Sequence, residues 1–72
     1  MNMEERIAKE AYEFLAANPD KHISEIVIGV EDYFDLATLP SSGYRLHVTP
    51  DGQTYNGVKM TVLTQRRHLE MR

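Results

Sequence analysis

At Tyr44 the spacing of apolar residues changes, and with it the class of fold the chain can adopt. Before that point apolar side chains recur three and four residues apart, the repeat of a helix; after it they alternate, the repeat of a strand. Tyr44, Leu46 and Val48 alternate with Arg45, His47 and Thr49, and Val58, Met60 and Val62 alternate with Lys59, Thr61 and Leu63. Between the two series lie Pro50-Asp51-Gly52 and Asn56-Gly57, both strong turn signals. The link is therefore one wide loop, or two tight turns flanking a short strand from Gln53 to Tyr55. The tail QRRHLEMR has no partner pattern and is read as a frayed end or an extension of the last strand.

Upstream, Met3 to Ala17 reads as an amphipathic helix. Ile7, Ala11, Phe14 and Leu15 follow the i, i+4, i+7, i+8 spacing, while Glu5, Lys9 and Glu13 lie elsewhere on the circumference. Glu4 and Glu5 sit where a helix N-terminus favours negative charge. Asn18-Pro19-Asp20 supplies the stop, because the residue before a proline is disfavoured in helical geometry.

The segment HISEIVIGVEDYF, residues 22 to 34, fits two structures. Ile23, Ile26, Val27, Val30, Phe34 and Ala37 form a helical series, with Gly29 as the turn between two short helices. Against it, Ile26, Val27, Ile28 and Val30 are all β-branched, and Gly29 costs a helix about 1 kcal/mol relative to alanine. The helical series is the preferred expectation and a short strand followed by a helix the alternative. The fold class expected is α+β in one domain spanning residues 1 to 72: an N-terminal amphipathic helix, a second helical segment or strand plus helix, and a C-terminal antiparallel β-hairpin or meander.

Helix, helix pair and hairpin is the element order of a winged helix, so the chain resembles that fold in topology. A recognition helix offers cations and amides to DNA, whereas EDYFDLATL offers Glu31, Asp32 and Asp35, which repel phosphates. Charge is uneven along the chain. Residues 1 to 40 hold nine acidic and three basic side chains, a net of −6, and residues 41 to 72 hold two acidic and five basic, a net of +3. The acidic half suits a partner with a basic surface, or head-to-tail association with the basic half of another copy.

The chain has 72 residues and no cysteine, so disulfides, thiolate metal sites and cysteine nucleophiles are excluded together. A domain near the lower size limit without such staples is expected to draw stability from self-association, and a homodimer is expected. The N-terminus is charged from its fourth residue and the longest apolar run, Ile26 to Val30, is far too short to span a bilayer. No membrane association and a cytoplasmic setting are expected.

No catalytic constellation stands out. Ser41 and Ser42 occur in PSSG without the glycine-flanked elbow of an active serine, and there is no glycine-rich phosphate loop. His22, His47 and His68 lack metal-ligand spacing, and Glu31, Asp32 and Asp35 lack the alternation and central glycine of a calcium loop. A chain this small is also expected to lack room for a pocket of some 300 Å³. The expectation is a non-enzyme with no cofactor and no metal.

The function expected first is a small protein-binding inhibitor or regulator. Its docking face would be an acidic, partly aromatic helical surface formed by Glu25, Glu31, Asp32, Tyr33 and Asp35, with all carboxylates exposed. By analogy with compact acidic inhibitors from phages and mobile elements, such a face would occupy a basic site. The alternative is a winged-helix-like transcription regulator that lays Arg45, Lys59, Arg66 and Arg67 along DNA, with Tyr44 and Tyr55 stacking on bases. A third reading is a structural subunit whose hairpin edge pairs with a copy of itself.

Overall fold

The computed structural model describes residues 1–72, and the elements run α1 (Met3–Ala17), β1 (Glu25–Gly29), α2 (Val30–Ala37), a 3-10 turn (Pro40–Tyr44), β2 (Leu46–Thr49), β3 (Gly52–Tyr55), β4 (Val58–Leu63) and β5 (Leu69–Met71). The class is α+β. The five strands form one sheet in the order β2-β3-β4-β1-β5, in which β1 and β4 are parallel and every other pair is antiparallel.

α1 begins and ends where the sequence places it. Asn2 accepts from the Glu5 N–H at 2.9 Å and the Glu5 carboxylate accepts from the Asn2 N–H at 3.1 Å, a reciprocal capping box. At the other end Asn18 donates both its N–H and its side-chain amide to the Phe14 carbonyl. The inward face differs from the sequence reading by one residue. Ile7 is buried, and Ala11 and Phe14 pack against the core, but Leu15 is turned outward and 42% exposed. Met3, which stands one turn before Ile7, takes the place assigned to Leu15.

The preferred helical reading of residues 22 to 30 does not hold: Glu25–Gly29 is a strand, and α2 starts only at Val30. The physical reason lies in its position. β1 is flanked by β4 and β5 and buried on both faces, so Ile26, Val27 and Ile28 are all inside, and an unbroken apolar run satisfies helical and strand periods alike. The β-branched side chains then decide for the strand.

Ile26 is level with Met60 and Met71, and Ile28 with Val62 and Leu69, which puts these six on one face of the sheet. That face meets Met3 and Ile7 of α1 and Leu36 of α2 to form the core. Val27 points the other way, level with Thr61 and Glu70, into a mostly polar face without helices. The fold is thus two layers, with both helices on one side.

The two tight turns, rather than one wide loop, join the hairpin strands. Asn56 and Gly57 have φ of 51° and 81°, the positive pair that a two-residue type I′ turn demands, and Tyr55 pairs with Val58 across it. The tail, in turn, is neither frayed nor part of the last hairpin strand. Its second half is β5, hydrogen-bonded to β1 on the sheet's far edge. Its first half is a loop wrapped around the start of α2. The winged-helix likeness is not supported either, since the segment needed for its second helix forms β1, an interior strand between β4 and β5, and the hairpin is part of the same sheet.

Candidate functional site

The residues expected to form an acidic docking face lie on β1 and α2, and the fold separates them. Glu25 is on the polar face of the sheet, where its carboxylate accepts from the Thr61 hydroxyl and lies 3.9 Å from the Lys59 ammonium. It shares no surface with α2. Tyr33 is half-buried against the core. Only Glu31, Asp32 and Asp35 come together, and they do so around three arginines, Arg6, Arg66 and Arg67.

Asp32 was expected at the surface and is instead fully buried, with 0% of its area exposed. Its carboxylate accepts from Arg67 Nη1 at 2.7 Å and from the His68 backbone N–H at 2.9 Å, and Arg6 Nη1 of α1 lies 3.4 Å away. Burial by itself raises the carboxyl's pKa, but the Arg67 hydrogen bond, the His68 N–H and the charges of Arg6 and Arg67 outweigh it and hold it below the ordinary aspartate value. Arg67 is correspondingly pushed above its usual range by its hydrogen bonds to Asp35 and Asp32. Arg67 also reaches Asp35 at 2.8 Å and Glu31 at 3.5 Å, while Arg66 pairs with Glu31.

The local sequence explains why this cluster forms. The loop at residues 65 to 68 lays its carbonyls over the first turn of α2: Gly29, Val30 and Glu31 donate their N–H groups to His68, Gln65 and Arg66 at 2.8, 2.9 and 2.9 Å. These are donors a helix start leaves without partners of its own. The approach is close enough that a Cβ on Gly29 would lie 2.7 Å from the Arg66 carbonyl oxygen, so the position requires glycine for space rather than for backbone angle.

Leu36 and Asp32, one turn apart, face inward. On the opposite side of α2, Val30, Phe34 and Ala37 follow the i, i+4, i+7 spacing and all three are exposed. Phe34 is the outermost, with 67% of its area in solvent. Glu31 and Asp35 border the stripe on one flank. The sequence reading put Val30, Phe34 and Ala37 in one helical series with Ile23, Ile26 and Val27, but α2 has two apolar sides and periodicity alone does not say which one is buried. The pair Tyr33 and Leu36 was the signal for a second apolar side.

The cations of the DNA-binding reading are dispersed. Arg45 is bound to Glu4 of α1 at 2.6 Å, Lys59 is beside Glu25 on the polar sheet face, and Arg66 and Arg67 are paired with the α2 acids. Tyr55, assigned to base stacking, is buried in the core.

The expectation that the chain has no room for a pocket is also corrected. An apolar cleft of about 350 Å³ opens between α1 and the β3–β4 turn, lined by Ile7, Ala11, Ile26, Tyr55, Val58 and Met71 among others. Its charged lining residues, Glu4 and Arg45, are bound to each other. Of the two serines, Ser42 is buried and donates to the Leu36 carbonyl at 2.5 Å, and Ser41 donates to Glu4. No three histidine, aspartate or glutamate side chains converge as a metal-ligating group, and no helix is long and apolar enough to cross a membrane.

Comparison with protein-family models, with curated proteins and with solved structures finds no match for this chain.

Proposed function

We propose that the protein is a non-catalytic protein-binding module that docks through the outer face of α2, with Phe34 as the anchor and Val30 and Ala37 beside it. The observation that carries this reading is the exposure of Phe34 at the centre of an apolar stripe on a well-anchored helix. Exposing such a stripe is unfavourable for an isolated domain, whereas an aromatic anchor bordered by charged groups is the usual anatomy of a binding hot spot. The loop at residues 65 to 68 and the Asp32 cluster hold the helix in place, so little order would have to be gained on binding.

The charge of the face argues for a different partner surface from the one the composition suggests. Arg66 and Arg67 take up Glu31 and Asp35, which leaves the patch close to neutral. The partner it fits has an apolar hollow for the Phe34 ring and a mixed polar rim, rather than an extended basic groove. An inhibitory or regulatory role suits a module that presents one such face.

The test is differential capture from an extract of the cells that carry the gene, using the wild type, Phe34→Asp and, as a surface control, Tyr12→Asp on α1. Both positions are solvent-exposed, so neither change should alter folding by more than about 0.5 kcal/mol. A partner retained by the wild type and the Tyr12 variant but lost with Phe34→Asp is the expected result. Equal retention by all three would refute the reading.

A further inference from the structure

The sheet ends in two edges that differ in how they are protected. At one end β5 is three residues long and its polar-face side chains are charged: Glu70 is bound to Arg72 at 2.9 Å and to His68 at 3.0 Å. At the other end β2, Leu46–Thr49, has no Lys, Arg, Asp, Glu or proline within it, the residues that ordinarily block pairing at an edge.

The hydrogen-bond phase of β2 is fixed by its partner. Asn56 donates its N–H to the Arg45 carbonyl at 2.9 Å, so in the register that pairs His47 with Thr54 and Thr49 with Gly52 the bonded positions are the odd-numbered ones. The N–H and C=O of Leu46 and Val48 therefore point away from β3. No strand lies on that side, and neither residue takes a bond from a turn, loop or side chain. Val48 is 77% exposed, and Tyr44, just before the strand, is 87% exposed.

We infer that this edge is the seam of a homodimer in which β2 of two copies pairs antiparallel about a two-fold axis, joining two five-stranded sheets into one. The geometry selects the register. With Leu46 opposite Val48 of the second copy, all four outward groups of each strand are satisfied by residues already extended, giving four reciprocal hydrogen bonds. Shifting by two residues one way would bring in Pro50, which has no N–H, and the other way Tyr44, which lies in the 3-10 turn. The selected register sets His47 against its own symmetry mate on the polar face and Leu46 against Val48 on the face that carries the helices. A second copy is the occupant because the free pattern is complementary to itself under a two-fold and carries no fixed charge that a different strand would be needed to neutralise.

A seam of four residues buries less than the roughly 1,600 Å² of a standard interface, so the dimer is a weak one that forms at high concentration. This surface is separate from the α2 face, and the two readings stand or fall independently. Sedimentation equilibrium from about 20 µM to about 1 mM should show the 8.3 kDa chain passing to twice that mass. Val48→Pro removes an outward N–H that β3 does not use, and is expected to weaken association by at least about tenfold with the circular dichroism of the fold retained. His47→Glu leaves the backbone untouched and places two carboxylates at the axis; its dimer should be weakened at low salt and restored near 1 M salt, where the screening length is about 3 Å. A wild type that remains monomeric throughout the range, or association unaffected by His47→Glu, overturns the proposal.

Discussion

Asp32, three residues into α2, accepts a 2.7 Å hydrogen bond from Arg67, thirty-five residues later, and so ties the exposed helix to the loop that leads into the last strand. The contact works with the His68 N–H on the same carboxylate and with the carbonyls that cover the start of α2. Together they fix the orientation in which Phe34 faces outward.

Replacing Asp32 with alanine would leave the His68 N–H without its acceptor and remove a charged hydrogen bond from Arg67. A loss of about 2 to 3 kcal/mol is expected, a large part of the stability of so small a domain, and chemical denaturation checks it.

The same carboxylate gives the fold an acid limit. Its pKa is lowered in the folded state, so its contribution is fully present above the unfolded aspartate value of about 3.9 and is lost as pH falls toward the lower folded value. Melting temperatures of the wild type should drop through that window more steeply than those of Asp32→Asn, which has no proton to take up. Parallel profiles would show that Asp32 is not the linked group.

Gly29→Ala should destabilise by about 1 to 3 kcal/mol, because the added methyl meets backbone atoms of residues 65, 66 and 68 at 2.7 to 2.8 Å and the loop must retreat. The φ of −71° at Gly29 suits alanine well, so a neutral result would mean that the loop does not lie against the helix start.

The two sides of α1 can be separated in the same way. Ile7→Ala should cost about 2 to 5 kcal/mol as a buried truncation, and Leu15→Ala well under that, although both residues carry helical spacing. Arg66→Ala, which removes an exposed ion pair, should change stability by no more than about 1 kcal/mol.

Much of the fold was legible in local signals. The acidic first turn of α1, its stop at Asn18, the alternation after Tyr44 and the Asn56-Gly57 turn each depend on neighbours in sequence, and each appears in the fold, whereas the Asn2 cap was not read. What escaped depends on partners distant in sequence. Residues 25 to 29 become a strand because β4 and β5 flank them, and the tail finds its partner in β1 rather than in an adjacent strand. The candidate site suffered most from this. Asp32 looks like a surface acid until Arg67 and Arg6 are brought to it, and Phe34 looks like core until Asp32 and Leu36 claim the inner side of α2.

The most direct test of the α2 docking surface is photocrosslinking in living cells with a benzophenone side chain placed at position 34 and, separately, at position 12. Binding through α2 predicts a discrete adduct from position 34, heavier than the 8.3 kDa chain by the mass of a different protein, and no such adduct from position 12. No adduct from position 34, or the same adduct from both positions, would contradict it.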